Sequence, residues 1–288
     1  MNWFVFHIVS GHAFFTGNVL LIVAALASTG SRPAFRRVTV LAFLVGVIAV
    51  VVSSTAIPYW FYAVATVVTL AWFASRFKKT WRRWTPYATA AVWLMTALLE
   101  IPYHITPSLS QTGQRSMTII GDSVTAGVGD ETIETWPAIL AREHQLEVQD
   151  ISQVGETAGS ALKRARSHQI TAPVVIVEIG GNDLLGSTTS AQFARDLDAL
   201  LAYLSGTDRQ IVMFELPLPP FCHEYGRVQR AVAAKHNVML IPKRVFLSVI
   251  AGSDSTLDTI HLSQSGHHFM ADCVWRVVKS AFNTKTAA

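Results

Sequence analysis

The chain has 288 residues, of which 51% are hydrophobic and only 15% are charged. Soluble domains usually carry about 25% charged residues, so this composition does not fit a purely soluble protein. The two cysteines are too few for a disulfide framework. No Cys/His spacing resembles a zinc site.

The charged residues divide the chain into two parts. Residues 1–105 contain eight Lys or Arg and a single acid, Glu100, whereas residues 106–288 contain fifteen Lys or Arg and eighteen Asp or Glu. The basic character of the chain therefore comes from short loops between apolar segments. This pattern indicates a lipid bilayer as the partner, and it does not indicate nucleic acid.

Residues 1–105 are expected to form a transmembrane region. A spanning helix needs about 20 mostly apolar residues. No polar face at helical spacing remains to meet water, which argues against a buried soluble bundle. The front end, Met1–Trp3, lacks the positive charge of a signal peptide, so the first segment is expected to remain as a helix. The four predicted transmembrane helices are Phe4–Ala27, Val38–Val52, Tyr59–Phe73 and Tyr87–Ile105.

The loops between these segments predict the orientation. The loop Ser53–Pro58 has no charge, and the loops before and after it are basic. Because positive loops stay in the cytoplasm, the amino terminus and everything after Ile105 are expected to lie outside it, in a multi-pass protein of the cell (inner) membrane. The basic residues are Arg32, Arg36 and Arg37 in the first loop and Arg76, Lys78, Lys79, Arg82 and Arg83 in the third.

Four ionisable side chains lie within the apolar segments, on the predicted outer side: His7, His12, Glu100 and His104. Ionisable residues at membrane depth are costly and often functional. Hydrogen bonding between helices near the headgroups is the favoured interpretation, and a metal site is the alternative.

From Ser116 onward, short apolar runs alternate with amphipathic stretches, which predicts an α/β domain over residues 116–288 with a five-stranded parallel sheet covered on both faces. Residues 106–115 are the predicted linker. The predicted strands are Met117–Ile120, Leu146–Ile151, Val174–Ile179, Ile211–Glu215 and Val238–Ile241. The predicted helices are Trp136–His144, Ala158–His168, Ala191–Ser205, Glu224–His236 and Ser265–Ala281.

Polar motifs follow several of these strands. In a parallel sheet, ligands bind beyond the carboxyl ends of the strands. Ser123 follows the first strand beside a glycine that permits a sharp turn, as a nucleophile would. Gly155 follows the second strand and Asn182 the third, while Asp258 and His261 lie in the long connection after the fifth.

These residues predict a catalytic site for acyl transfer from an ester. His261 would take the proton from Ser123, and Asp258 would hold the imidazole in the useful tautomer. The backbone N–H groups of Ser123 and Gly155 and the side-chain amide of Asn182 would form the oxyanion hole. The prediction names Ser123, Asp258 and His261 as catalytic residues.

The four motifs together resemble the blocks of the SGNH, or GDSL-type, hydrolase superfamily, especially its thioesterase/lysophospholipase branch. The resemblance implies a flavodoxin-like three-layer fold and esterase, thioesterase or lipase-like activity without a metal or other cofactor. One departure is Leu262, where the family often has proline after the histidine. The motifs are Gly121–Ser123, Val154–Thr157, Gly181–Asp183 and Asp258–His261.

The sequence thus predicts a membrane-anchored serine hydrolase that acts on lipid esters, thioesters or acylated envelope glycans outside the cytoplasm. An acyltransferase would share the acyl-Ser123 intermediate, so that alternative stays open. A non-catalytic membrane interaction module is the third reading, and the intact set of catalytic residues argues against it. Glu178, inside the third strand, is expected to be a buried structural acid. Cys222 and Cys273 could pair outside the cytoplasm.

Overall fold

The structure is a computed structural model that describes residues 2–77, 83–128, 133–206, 208–252, 254–258 and 260–282. The chain divides into two compact units. A sheet unit comprises Ile105–Pro217 and the chain from Val228 onward, and a helical unit comprises Trp3–His104 together with Leu218–Arg227. Three basic residues of the third loop, Lys78, Lys79 and Arg82, lie outside the described residues, as does Thr259.

The helical unit contains five α-helices and two short 3₁₀ turns among its described residues. The α-helices are α1 (Trp3–Val9), α2 (His12–Ala27), α3 (Pro33–Val52), α4 (Tyr59–Ala74) and α5 (Thr85–Glu100), and the 3₁₀ turns are Ser75–Phe77 and Ile101–His104. The prediction of one helix over Phe4–Ala27 is wrong, because α1 and α2 meet at 82°. The break falls at Gly11, whose φ of 85° lies in the left-handed region that ends a right-handed helix.

One helix of the described chain meets the length and hydropathy expected of a membrane span by itself. This helix is α3, with 20 residues and a mean hydropathy of 2.3. The pair α1 and α2 meets the criterion only as one bent span, and α4 and α5 have 16 residues each. At 1.5 Å per residue, 16 residues reach about 24 Å, less than the ~30 Å of a bilayer core. The structure therefore supports one span by length and composition, where the sequence predicts four.

Polar side chains inside the helical unit are hydrogen-bonded between helices. Thr96 donates to Asn18 Oδ1 at 2.6 Å, and the indole N–H of Trp93 donates to Thr69 Oγ1 at 3.0 Å. All four of these residues are buried. At the α2–α3 crossing, a Cβ on Gly17 would lie 2.7 Å from a Val50 methyl carbon. Helices can approach this closely only where small residues face each other.

The predicted outer loop Ser53–Pro58 is buried at its first five residues, which are at most 2% exposed. The segment Leu218–Arg227 covers it. Ser54 Oγ accepts from the backbone N–H of Leu218 at 3.0 Å, and the ring of His223 donates to the Ser53 carbonyl at 2.6 Å. Arg227 lies over the Tyr59 ring at 3.4 Å from its centroid, a cation–π contact.

The sheet unit contains the predicted five parallel strands in the order β2-β1-β3-β4-β5. Each predicted apolar run coincides with a strand to within two residues at either end. The strands are β1 (Ser116–Gly121), β2 (Glu147–Asp150), β3 (Val174–Glu178), β4 (Gln210–Phe214) and β5 (Met239–Ile241). The prediction of a five-stranded parallel α/β domain is confirmed.

Helices cover both faces of this sheet. Met117 and Ile119 of β1 pack against the helices Trp136–His144 and Gln264–Phe282. The alternate residues point to the opposite face, where the helices Ala158–Arg166 and Ser190–Leu204 pack together. The helices are α6 (Ser123–Ala126), α7 (Trp136–His144), α8 (Ala158–Arg166), α9 (Gly181–Leu185), α10 (Ser190–Leu204), α11 (His223–Lys235), α12 (Lys243–Ile250) and α13 (Gln264–Phe282).

The predicted linker, residues 106–115, lies against the sheet unit. Leu109 is 4% exposed and belongs to the core cluster that contains β1 and α13. Its backbone N–H donates to Ser280 Oγ at 3.1 Å, and that of Thr112 donates to the Ala281 carbonyl at 2.8 Å. These contacts fix the chain from Leu109 onward to the last helix of the sheet unit.

Candidate active site

The first motif places Ser123 at the amino end of the short helix α6, immediately beyond β1. The turn is tight, since a Cβ on Gly121 would collide with the side chain of Thr125. Asp122 caps the helix, and its Oδ1 accepts from the Val124 backbone N–H at 3.0 Å. Ser123 is partly exposed at this edge of the sheet, as a nucleophile must be.

Asp258 and His261 form a hydrogen-bonded pair in the loop before α13. Asp258 Oδ2 lies 2.7 Å from His261 Nδ1, while Oδ1 accepts from the backbone N–H groups of Ile260 and His261 at 2.7 and 2.9 Å. These two backbone donors, followed by the imidazole, hold the pKa of Asp258 far below its ordinary value. An ionised Asp258 keeps the proton on Nδ1, which leaves Nε2 as the basic nitrogen.

The charge of His261 acts on the turn that carries the serine. Burial raises the pKa of Asp122, and the charge of His261 is one of the influences that oppose this rise. Within the described part of the chain, however, no hydrogen bond joins Ser123 Oγ to the imidazole of His261. Such bonds are often long in unliganded enzymes and tighten when substrate binds. The direct contact between Ser123 and His261 stays a prediction.

The three predicted oxyanion donors differ in the structure. Among the described residues, the backbone N–H groups of Ser123 and Gly155 donate to no other group. Gly155 has a φ of 78°, a conformation that favours glycine. The amide of Asn182, in contrast, donates to Asp122 Oδ2 and to the Glu156 carbonyl, both at 3.1 Å. Both of its hydrogens are therefore engaged, and its role toward an oxyanion stays a prediction.

Acidic residues that the sequence did not assign to the site hold its motifs together. Asp183 is buried, and its Oδ2 accepts from the Ala158 backbone N–H at 2.9 Å, which joins the asparagine motif to the start of α8. Glu178 is also buried, as expected, but it lies directly beneath the nucleophile turn. The available signal was its position at the end of β3, which pairs in register with the end of β1.

A cavity of about 430 Å³ lies beside the glycine motif. Lys163 is exposed at its wall, whereas the charge of Arg164 is paired with Glu156 at 2.7 Å. The lining residues are Gln153, Val154, Gly155, Glu156, Ser160, Lys163, Arg164 and Ser167.

Other residues considered from the sequence lie elsewhere. Cys222 and Cys273 are free thiols in this structure. Leu262, at the departure from the family pattern, is 2% exposed and belongs to the core of the sheet unit. In the helical unit, His104 lies 3.6 Å from Glu100, with His12 stacked on its ring. Across the described ranges, no group of three or more His, Cys, Asp or Glu side chains is arranged to hold a metal ion.

Comparison with known proteins identifies the family of the chain. A model of the GDSL-like Lipase/Acylhydrolase family matches residues 119–269. The chain is 26% identical to Esterase TesA of Pseudomonas aeruginosa over 183 residues, which cover 59% of this chain and 90% of that protein. It is 27% identical to Thioesterase 1/protease 1/lysophospholipase L1 of Escherichia coli K12 over 183 residues, 58% of this chain and 85% of that protein.

The fold has a counterpart among solved structures. The psychrotrophic esterase EstA from Pseudoalteromonas sp. matches with a TM-score of 0.51 and 22% identity, over 59% of this chain and all of that one. The fold and the relatives define a serine esterase. More particularly, the chain belongs to the GDSL-like Lipase/Acylhydrolase family, whose model spans more than half of it.

Proposed function

We propose that this esterase is anchored in a membrane and acts outside the cytoplasm through an acyl-Ser123 intermediate. The observation that carries the catalytic part is the Asp258–His261 pair at 2.7 Å, together with two backbone N–H groups that have no other acceptor among the described residues. A general base oriented by a carboxylate and a preformed oxyanion hole are the parts that ester cleavage requires.

In the proposed reaction, Ser123 Oγ attacks the ester carbonyl carbon while His261 Nε2 takes the hydroxyl proton. The carbonyl oxygen becomes an oxyanion that accepts hydrogen bonds from the backbone N–H groups of Ser123 and Gly155. His261 then gives its proton to the departing alcohol or thiol, and the carbon–oxygen or carbon–sulfur bond breaks. Water, activated by the same imidazole, hydrolyses the acyl-enzyme. Asn182 donates a third hydrogen bond to the oxyanion by turning one amide N–H away from Asp122 Oδ2 or the Glu156 carbonyl.

The surface of the helical unit supports anchoring in a bilayer. The outer side of α3 carries six large aliphatic side chains that are 47–64% exposed, and no acidic or basic residue lies among them. Two pairs of polar side chains face inward and are hydrogen-bonded, Thr96 with Asn18 and Trp93 with Thr69. Membrane helices typically expose apolar side chains to the lipid and place hydrogen-bonded polar side chains between the helices. The exposed aliphatic residues are Val40, Leu41, Leu44, Val45, Ile48 and Val51.

The proposed orientation has two supports. The first is the charge of the loops, which is basic on one side of the helices and absent in Ser53–Pro58. The second is that Ser53–Pro58 packs with Leu218–Arg227, a segment flanked on both sides by the sheet unit in the chain. A reporter that works only outside the cytoplasm should therefore be active when fused after Ala288. The same reporter should be silent near Lys79, and the reverse pair of results would refute the orientation.

The proposed substrates are lipid esters, thioesters or acylated envelope glycans. The names of the relatives from P. aeruginosa and E. coli, an esterase and a thioesterase/lysophospholipase, support an acyl ester or thioester. Transfer of the acyl group to a sugar or lipid hydroxyl would use the same intermediate.

Product analysis separates hydrolysis from transfer. The full chain, purified in detergent, is incubated with membrane lipids or acylated glycans, with and without a hydroxyl acceptor. We expect free acid in both cases from the wild type and none from Ser123→Ala. Acylated acceptor in place of free acid would identify a transferase, and product from Ser123→Ala equal to that of the wild type would refute the mechanism.

A further inference from the structure

Two acidic side chains lie beneath the turn that carries Ser123, and both are shielded from solvent. Glu178 is 7% exposed at the end of β3, and Asp122 is 5% exposed just after β1. The sheet brings them together because Gly121 pairs with Glu178 in the register of β1 and β3. Glu178 Oε2 lies 3.3 Å from the backbone nitrogen of Asp122, so the two carboxyl groups are neighbours.

Among the described residues, the pair has no basic partner to neutralise it. Within the described ranges, no Lys or Arg side chain forms a salt bridge with either acid. Burial and the neighbouring charge of Asp122 raise the pKa of Glu178 well above its ordinary value. Two neighbouring carboxyl groups that are both buried do not ionise together readily, which favours a state with one proton on the pair. Burial raises the pKa of Asp122 as well, but the hydrogen bond from the Val124 N–H opposes that rise.

The contacts of the pair reach both sides of the nucleophile. Glu178 Oε2 accepts from the Asp122 backbone N–H at 3.3 Å and from Thr125 Oγ1 at 2.9 Å. Asp122 Oδ1 accepts from the Val124 N–H at 3.0 Å, and its Oδ2 accepts from the Asn182 amide at 3.1 Å. These bonds hold the residues before and after Ser123 and orient the amide beside it.

We propose that Glu178 is a positioning residue that holds the single proton of the pair, so that Glu178 Oε2 and the Asp122 carboxylate together fix the nucleophile turn and the Asn182 amide. This inference rests on the roles of Ser123 and Asn182 given under Proposed function. Glu215, the buried acid after β4, is a useful contrast. It lies 2.6 Å from Arg230, whose positive charge balances its own.

The inference predicts a distinct pH dependence. Three charged groups face the pair. His261 opposes the rise in the pKa of Asp122, and the pKa of Asp183 is raised by burial and in part by Asp122. Glu215 lines a small cavity together with Glu178 and is paired with Arg230 and Lys243. When the pH rises far enough to remove the shared proton, two carboxylates repel each other beneath the turn. We therefore expect kcat/KM of the wild type to fall on the alkaline side, because the turn loses its geometry.

Two variants of the full chain test the role. Glu178→Gln keeps a neutral side chain and an oxygen acceptor for the Asp122 N–H and for Thr125 Oγ1, so kcat at neutral pH should stay near that of the wild type. Its alkaline decline of kcat/KM should disappear, because Gln has no proton to lose. Glu178→Ala removes the support, and kcat should fall by up to about 100-fold with little change in KM, as small misplacements in an active site do.

Infrared difference spectroscopy reports the proton directly. The wild type at neutral pH should show the band of a protonated carboxyl group, and Glu178→Gln should lack it. Glu215→Gln is the matched control: it should lower Tm and leave the band and the pH profile unchanged. If Glu178→Ala fails to fold, the band and the pH profile of Glu178→Gln decide the question alone.

Three results would each overturn the inference. The first is a folded Glu178→Ala variant with normal kcat, and the second is a Glu178→Gln variant that is as impaired as Glu178→Ala. The third is a protonated-carboxyl band that survives in Glu178→Gln. A fluorophosphonate probe is added to every sample. Failure to label Ser123 in the wild type would refute the proposed function itself. Labelling of Ser123 together with any of the three outcomes above would refute only the role of Glu178.

Discussion

Replacement of Asn182 with alanine should lower kcat and leave KM nearly unchanged, because an oxyanion contact strengthens only in the transition state. Loss of one oxyanion donor typically costs about 100- to 1,000-fold in kcat. The structure favours the lower end. Both amide hydrogens already bind Asp122 and the Glu156 carbonyl at 3.1 Å, so turning one toward the oxyanion gives up a bond. We expect a decrease of about 100-fold, or about 2.7 kcal/mol.

The same substitution should also affect stability, since it leaves the buried Asp122 Oδ2 without its amide donor. An unpaired buried acceptor costs about 1–3 kcal/mol. Initial rates on a nitrophenyl ester give kcat and KM, and thermal unfolding gives Tm. Gln192→Ala is the control, because it also removes an amide bound to a carboxylate, that of Asp196 at 2.7 Å. A raised KM with normal kcat in Asn182→Ala would refute the oxyanion role and make Asn182 a substrate-binding residue.

Three further predictions follow from the geometry of the sheet unit. Ser123→Ala and His261→Ala should each abolish turnover, and the double variant should lose little more, because the two act as one unit; additive losses in steady-state kinetics would contradict this. A Cβ added at Gly155 would meet no atom within 4 Å, but the φ of 78° at this position is unfavourable for alanine, so kcat of Gly155→Ala should fall. A Cβ at Gly113 also meets no atom, and kcat of the control Gly113→Ala should stay normal. Equal kcat in the two variants would refute the placement of the Gly155 N–H. Burial lowers the pKa of His267 from 6.5 to about 4. Between these pH values the unfolded chain binds a proton that the folded chain does not, so the free energy of unfolding should fall as the pH drops from 6.5 to 4. Denaturant titrations of His267→Gln should show a shallower dependence on pH, and an unchanged dependence would contradict this prediction.

The strands of the sheet unit could be predicted from the sequence because each is a short apolar run between turn residues. Val174–Glu178 is buried at every position, so its pattern is continuous and unambiguous. The helix Trp136–His144 was predicted at its exact bounds, since Pro137 marks its first turn and its apolar residues recur at helical spacing. Each catalytic candidate could then be assigned to the end of a strand or to the loop after the last one.

Other features depend on contacts between distant residues and leave no local pattern. The helix Lys243–Ile250 was missed because it follows β5 after a single residue, Pro242. The break at Gly11 falls inside an otherwise continuous apolar stretch, where a lone glycine is a weak signal. The engagement of both Asn182 hydrogens depends on where Asp122 and the Glu156 carbonyl lie in space, which the spacing of the motifs does not determine.

The helical unit shows the limit of reading membrane spans from composition. Apolar composition identified the segments, but two of the observed helices are 16 residues long, and the first apolar stretch is divided by an 82° bend. Helix length depends on where capping and turn residues end each helix, which hydropathy alone does not report. The packing of Leu218–Arg227 with the helical unit could not be predicted from the sequence either, because more than a hundred residues separate this segment from His104.

The central claim is that Ser123 is the nucleophile and that His261 activates it. Mass spectrometry of proteolytic peptides after treatment with a fluorophosphonate tests this most directly. We expect one adduct, on Ser123 in the peptide that contains Gly121 and Asp122, and its formation should be strongly slowed in His261→Ala and absent after heat denaturation. Two results would contradict this claim. One is an enzyme that is active on esters but takes up the phosphonate on a residue other than Ser123. The other is an adduct on Ser123 that forms as fast in His261→Ala as in the wild type.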